Sequence, residues 1–154
     1  MLEKQQTIKT EVTLSGVGLH TGNKSNMTFK PAPENYGVKF KRIDMPNSPE
    51  IPADIDHVID ISRGTTIALD GAEVHTVEHV LASIMGCEID NIIVELDSNE
   101  PPIMDGSAKD YVETLKKAGI IEQEAKRDYL VIEDTVHYQD EKNNVDIVAL
   151  PLKD

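Results

Sequence analysis

Tryptophan is absent, aromatic residues make up 4% of the chain, and cysteine occurs once in 154 residues. With 39% hydrophobic residues the chain can still bury a core, but one built mainly from Ile, Val, Leu and Met. The single Cys87 excludes an internal disulfide and fits a reducing compartment. It follows an apolar, helix-like run, where a buried and inert thiol is expected. No apolar stretch approaches the roughly 20 residues that cross a bilayer. The N-terminal "MLEKQQTIKTEV" has no apolar signal core. We therefore expect a soluble, cytoplasmic chain with no membrane span. Basic residues are scarce, 15 against 28 acidic, for a formal charge of −13. A field of that sign repels phosphate backbones, which argues against a nucleic-acid partner. No run of like charge forms a tail, so the acidity belongs to a solvated surface.

The first third of the chain alternates apolar and polar residues, as strands do. "TIKTEVTL" carries Ile8, Val12 and Leu14, "NMTFKP" carries Met27 and Phe29, and "GVKFKRI" carries Val38 and Phe40. The glycine-rich "SGVGLHTGNK" between the first two reads as a loop, and the prolines at 31, 33, 46, 49 and 52 predict an irregular segment. "GTTIALDGAEV" is a hairpin candidate turning at Asp70-Gly71. A helix is expected from about His75 to Gly86, followed by "DNIIVELD" as a buried strand and "SNEPPIMDG" as a loop. Ser107 and Asp110 form a capping box for a second helix, with Lys116 and Lys117 suiting its C-terminal dipole and Gly119 ending it. The charged stretch 122–128 reads as a linker. Beyond it, "YLVIEDTVHY" and "NNVDIVALPL" read as strands around the turn "QDEKNN". Length and pattern predict an α+β domain over residues 1–124, with residues 125–154 as the first strands of a second domain.

At 100° per residue, His75, Glu78, His79, Ala82 and Gly86 share one stripe of the predicted helix. Val77, Val80, Leu81 and Ile84 share the opposite one, which would pack on the sheet. A neutral imidazole is a good zinc ligand, and a neighbouring carboxylate can take a proton from zinc-bound water. In the first turn, Glu78 would also sit where the helix dipole favours negative charge. Three readings are open on these residues. "HTVEH" can be the H-x-x-E-H motif of a metallopeptidase, with His75 and His79 both ligands. His79 alone can bind metal, with ligands from elsewhere. The stripe can also be a solvated face of a non-catalytic interaction domain.

Four motifs in order, "SGVGLHTG" at 15–22, "TVEHVLAS" at 76–83, "DNIIVELDS" at 90–98 and "PPIMDGSA" at 101–108, resemble the N-terminal domain of the UDP-3-O-acyl-N-acetylglucosamine deacetylases. The resemblance runs from about residue 5 to the end of the chain. It implies a cytoplasmic zinc amidase of lipid A biosynthesis in Gram-negative bacteria, acting on a UDP-linked acylated glucosamine. It also implies two similar α+β domains, each a two-layer sandwich of mixed or antiparallel sheet backed by two helices, with the site in the cleft between them. Carried over, Glu78 is the general base, His79 a Zn2+ ligand, and His20 a residue beside the site that assists catalysis or substrate placement. The family does not require a histidine where His75 stands. Its remaining zinc ligands, a His and an Asp in an H-x-x-x-D arrangement, and its general-acid His belong to the second domain. His57 and His137 precede no such motif and read as structural. The segment alone is thus expected to be inactive, because catalytic zinc sites use three protein ligands plus water. Its partner would be the remainder of its own chain. Some members carry a further hydroxyacyl-carrier-protein dehydratase domain, on which these residues are silent.

Other features are weaker. The glycines of "GVGLHTG" could cradle a phosphate, but a strand-like segment follows where a dinucleotide site needs a helix. Asp105 could offer a metal carboxylate, although loop organisation with Ser107 is the simpler role. Lys24, Lys30, Lys39, Lys41 and Arg42 place positive charge locally and could favour a UDP-linked substrate. The Arg63 loop lies where the family's inserted element borders the cleft.

Overall fold

Seven wholly buried side chains, Met27, Phe29, Phe40, Ile51, Ile92, Val94 and Leu96, line one face of a five-stranded sheet. In the computed structural model, which describes residues 3–152, this sheet has the order β2-β3-β9-β4-β5. Its strands are β2 (Val12–Val17), β3 (Lys24–Pro31), β4 (Val38–Arg42), β5 (Glu50–Pro52) and β9 (Ile92–Leu96). Every pairing is antiparallel except β4 with β9, so the sheet is mixed. The period-2 alternation of strand side chains puts the apolar set on a single face. That face shares one core with Val80 and Ile84 of helix α1 (Glu78–Gly86) and Tyr111 and Leu115 of helix α2 (Lys109–Ala118). The result is the expected α+β sandwich.

Three smaller strand groups surround it. β1 (Lys4–Ile8) pairs with β10 (Ile120–Lys126), β6 (Val58–Asp60), β7 (Thr66–Leu69) and β8 (Ala72–Val74) form a three-stranded sheet, and β11 (Val136–Asp140) pairs with β12 (Val145–Ala149). The β7–β8 turn is the predicted Asp70-Gly71 pair, with φ of 51° and 80°. Among the described residues no helix is long and apolar enough to cross a membrane. Cys87 is buried as expected, and burial pushes its thiol pKa up.

Several elements differ from the sequence reading, each for a local reason. "TIKTEVTL" is not one strand, because Lys9 N–H donates to Gly119 O (2.7 Å) and Thr10 N–H to Ala118 O (3.2 Å). Those bonds divert the backbone into capping α2. The capping box does not form: Ser107 Oγ accepts from Lys109 N–H at 3.2 Å, while Ala108 occupies the cap position. The stretch 122–128 is no linker, since residues up to Lys126 belong to β10. Gln123 accepts from Asn91 (2.8 Å), and Arg127 is held by Asp90 (2.7 Å) and Glu3 (2.9 Å). Its charge marks an edge strand with a wet face. "YLVIEDTVHY" becomes strand only at Val136. β5 forms despite its proline because it is an edge strand.

α1 also begins later than expected, at Glu78. Thr76 has φ +55°, a left-handed conformation incompatible with helix, so His75 precedes α1 and does not lie on its face.

The loop after β2 closes on a buried carboxylate. Glu100 is fully buried. It accepts from His20 N–H (3.1 Å), Thr21 N–H (2.9 Å), Thr21 Oγ1 (2.9 Å) and Thr76 Oγ1 (2.8 Å). Burial alone would raise its pKa, but the bonds from Thr21, Thr76 and His20 together hold it below 4.5. Gly18 permits this packing, since a Cβ there would fall 2.5 Å from Thr21 Oγ1 and onto the Glu100 carboxylate.

Two outcomes follow for stability. Glu100→Gln should cost on the order of 2–4 kcal/mol at pH 7, because an amide cannot accept from all of these buried donors. A depressed folded-state pKa stabilises above the unfolded value of 4.5 and is lost as pH falls through it. The gap in urea midpoint between parent and variant should therefore be full at neutral pH and narrow below 4.5; an equal gap at both would show that charge is not the operative feature. Gly18→Ala should destabilise by about 1–3 kcal/mol through overpacking, read as a lowered thermal midpoint. A midpoint equal to the parent's would mean the loop has room for the methyl.

Candidate active site

Glu78 opens α1, and its carboxylate is enclosed by the segment before β7. Oε1 accepts from Thr65 N–H, whereas Oε2 is buried with no hydrogen-bond partner among the described residues. Gly64 lies against this group: a Cβ on it would stand 3.4 Å from Glu78 Oε1 and 3.6 Å from Thr76 Oγ1. With φ +157°, Gly64 also has a backbone that side-chain-bearing residues rarely adopt. An unpartnered buried carboxylate oxygen is costly in a folded chain. The helix N-terminus adds a positive field at the same point.

In front of this wall is a cleft of about 210 Å³ lined by His20, Thr21, Asp60, Arg63, Gly64, Thr66, His75 and Thr76. His20 Nε2 lies 3.2 Å from Arg63 O, which ties the glycine-rich loop to the segment covering Glu78. His75 Nδ1 lies 3.0 Å from Thr66 Oγ1, and its Nε2 is 3.9 Å from Glu73. The structure thus brings His20, His75 and the cover of Glu78 together. His79, next to Glu78 on α1, is half-buried. Among the described residues no three His, Cys, Asp or Glu side chains come together as a metal site. The described residues could therefore hold at most part of a metal site, with the imidazole of His79 following the Glu78 carboxylate on α1.

The remaining candidates are accounted for structurally. The glycine loop cradles the Glu100 carboxylate in the manner expected for a phosphate. Asp105 accepts from Ser107 N–H (2.9 Å) and Oγ (2.7 Å), which organises the loop before α2 and lowers its pKa. His57 pairs with Asp54 (2.5 Å) and His137 with Asp146 (2.6 Å). Lys30 pairs with Glu95 (2.7 Å), Lys41 with Glu50 (3.3 Å) and Arg42 with Asp44 (2.8 Å), while Lys39 sits over the Tyr36 ring. The local positive charge is thus largely matched on the strand faces. Ala82 and Gly86 are exposed.

Glu100 and Thr65 escaped the sequence reading. Thr65 acts through its backbone, which no side-chain pattern announces. Glu100 sits between a polar turn and two prolines in "SNEPPIM", and a glutamate in such a loop would ordinarily be solvated.

Comparison with known proteins bears directly on this constellation. The family model for UDP-3-O-acyl N-acetylglycosamine deacetylase, LpxC, matches residues 5–153. The bifunctional enzyme LpxC/FabZ of Chlorobaculum tepidum is 51% identical over 152 residues, covering 99% of this chain and 32% of that protein. The UDP-3-O-acyl-N-acetylglucosamine deacetylase of Saccharophagus degradans is 44% identical over 137 residues, 89% of this chain and 45% of that protein. That of Xanthomonas oryzae pv. oryzae is 42% identical over 139 residues, 90% and 46% respectively. The chain spans about a third of the first of these and under half of the others. A match from the first strand through the last, including the β2 loop and the start of α1 that form the cleft, means that the chain belongs to the LpxC family of UDP-3-O-acyl N-acetylglycosamine deacetylases.

Proposed function

We propose that this chain is the catalytic-base half of a zinc-dependent amidase that removes the N-acetyl group from UDP-3-O-acyl-N-acetylglucosamine in lipid A biosynthesis. The observation that carries the reading is the Glu78 carboxylate, with one oxygen fixed by Thr65 N–H and the other buried without a partner. Family membership and the names of the relatives support the substrate class.

Zinc, when bound, would polarise the acetamide carbonyl and acidify the attacking water. His79 would supply one imidazole toward it, and the remaining ligands would come from the part of the longer protein beyond this segment. Glu78 Oε2 takes the proton of the water as it attacks, while the Thr65 bond to Oε1 keeps the carboxylate from rotating away. His20, on the loop across the cleft, orients the sugar or the scissile amide. Arg63 lies at the mouth of the same cleft and offers a cation to the substrate's diphosphate. Products would be acetate and the free amine, and the proton for the amine would be delivered from the second domain. The segment alone is proposed to be inactive, in a cytoplasmic enzyme whose cleft is completed by the rest of its chain.

The H-x-x-E-H metallopeptidase reading needs His75 and His79 on one helical face. The left-handed Thr76 and the His75–Thr66 hydrogen bond weigh against it.

In the full-length protein, Glu78→Gln should lower kcat by about 10²–10⁴-fold, the range of a general base, with zinc content retained. Retained activity would leave the fold as a non-catalytic scaffold. Metal analysis separates the two zinc readings: His79→Ala should abolish stoichiometric zinc, whereas His75→Ala should leave it unchanged. Equal loss in both variants would restore the two-histidine site.

A further inference from the structure

Among the described residues Glu100 is the only acidic residue buried as a whole, and the deacetylase chemistry proposed above does not use it. Its donors come from two separate pieces of chain. One arm is the β2 loop, through His20 N–H, Thr21 N–H and Thr21 Oγ1. The other is the lead-in to α1, through Thr76 Oγ1, two residues before Glu78. The neighbouring residue strengthens the second arm, since Asn99 O accepts from His75 N–H at 2.9 Å. Ile103 N–H donates to Val17 O at 2.9 Å and strengthens the first. A carboxylate that serves only to fill a polar cavity has no reason to bridge these two arms. Each arm ends in a group assigned to the reaction, His20 on one and Glu78 on the other. Thr76 also holds an unfavourable left-handed conformation, and its bond to Glu100 is the interaction that fixes the hydroxyl in that geometry.

We propose that Glu100 is a positioning residue for the deacetylation: its carboxylate clamps the β2 loop to the start of α1 and thereby sets the placement of His20 relative to Glu78. The role rests on the deacetylase reading, and it acts on kcat more than on KM, because a clamp beneath the cleft does not touch substrate. A displacement of about 1 Å between reacting groups can cost on the order of 10²-fold in rate.

The test uses the full-length protein with its UDP-3-O-acyl-N-acetylglucosamine substrate, together with amide NMR on the same protein. Glu100→Gln should lower kcat by about 10–100-fold, with KM within about threefold of the parent, in protein shown to be folded by circular dichroism. Thr76→Val, which keeps the carboxylate and its loop donors, should lower kcat in the same direction, and Thr76→Ser should rescue it. In the NMR spectra, Thr76→Val should shift the amides of His20 and Thr21 across the clamp, and Thr21→Val those of residues 76–79. Shifts confined to the substituted arm, or a folded Glu100→Gln enzyme with parental kcat, would overturn the positioning role. A parent protein inactive on this substrate would instead sink the deacetylase reading itself, a result distinguishable from the first because it appears without any substitution.

Discussion

The cleft depends on one ionised carboxylate held out of water by dipoles alone. Glu100 takes hydrogen bonds from two backbone amides and two hydroxyls. Removing a carboxylate from water is expensive, and only a full set of short, well-aimed donors offsets it. Those donors are present because Gly18 has no side chain and Thr76 adopts a conformation that few threonines do. The same bonds that stabilise the charge also determine where the β2 loop and the start of α1 lie. Local strain and buried charge are therefore two sides of a single arrangement, and neither persists without the other.

Around that clamp the sandwich does something simpler. The apolar face of the five-stranded sheet and the inner faces of α1 and α2 exclude water from one side, so α1 is anchored along its length by Val80 and Ile84. Its first residue, Glu78, lies against Gly64, which lines the cleft. Glu78 is thus rigid in its backbone and incompletely satisfied in its side chain, with Thr65 engaging one oxygen and nothing engaging the other. Rigid support beneath an unsatisfied group is what the proposed general-base role of Glu78 requires, because a base already satisfied by protein donors would have to break those bonds before accepting a proton.

Periodicity carried most of the sheet and both helices into view, because alternation and amphipathic spacing reflect burial directly. β3, β4 and β9, the Asp70-Gly71 turn and the bulk of α1 are legible for this reason. Elements set by long-range hydrogen bonds were not. β10 is rich in charge and resembles a linker until its pairing with β1 and the Arg127–Asp90 bond are seen. The early stop of β1 depends on carbonyls of α2 that lie over a hundred positions away in sequence. Glu78 and His79 could be singled out because imidazole and carboxylate before an apolar run suggest chemistry, whereas His20 is reached only through the family resemblance. Thr65 could not, since its contribution is a backbone amide. Glu100 could not either, since burial of a loop glutamate follows only from two distant segments converging on it.

The position of His75 shows how a single dihedral separates two chemistries. In sequence, His75 and His79 are four apart, the spacing that puts two ligands on one face of a helix. Thr76 at φ +55° ends that equivalence: the chain turns before α1 begins, and the His75 ring is directed to Thr66 on the neighbouring sheet. The turn is held by the Thr76 hydroxyl on Glu100 and by the His75 amide on Asn99 O. So the contacts that build the cleft also keep His75 off the helix that carries His79, and of two histidines with the spacing of a two-histidine metal site only one is helical.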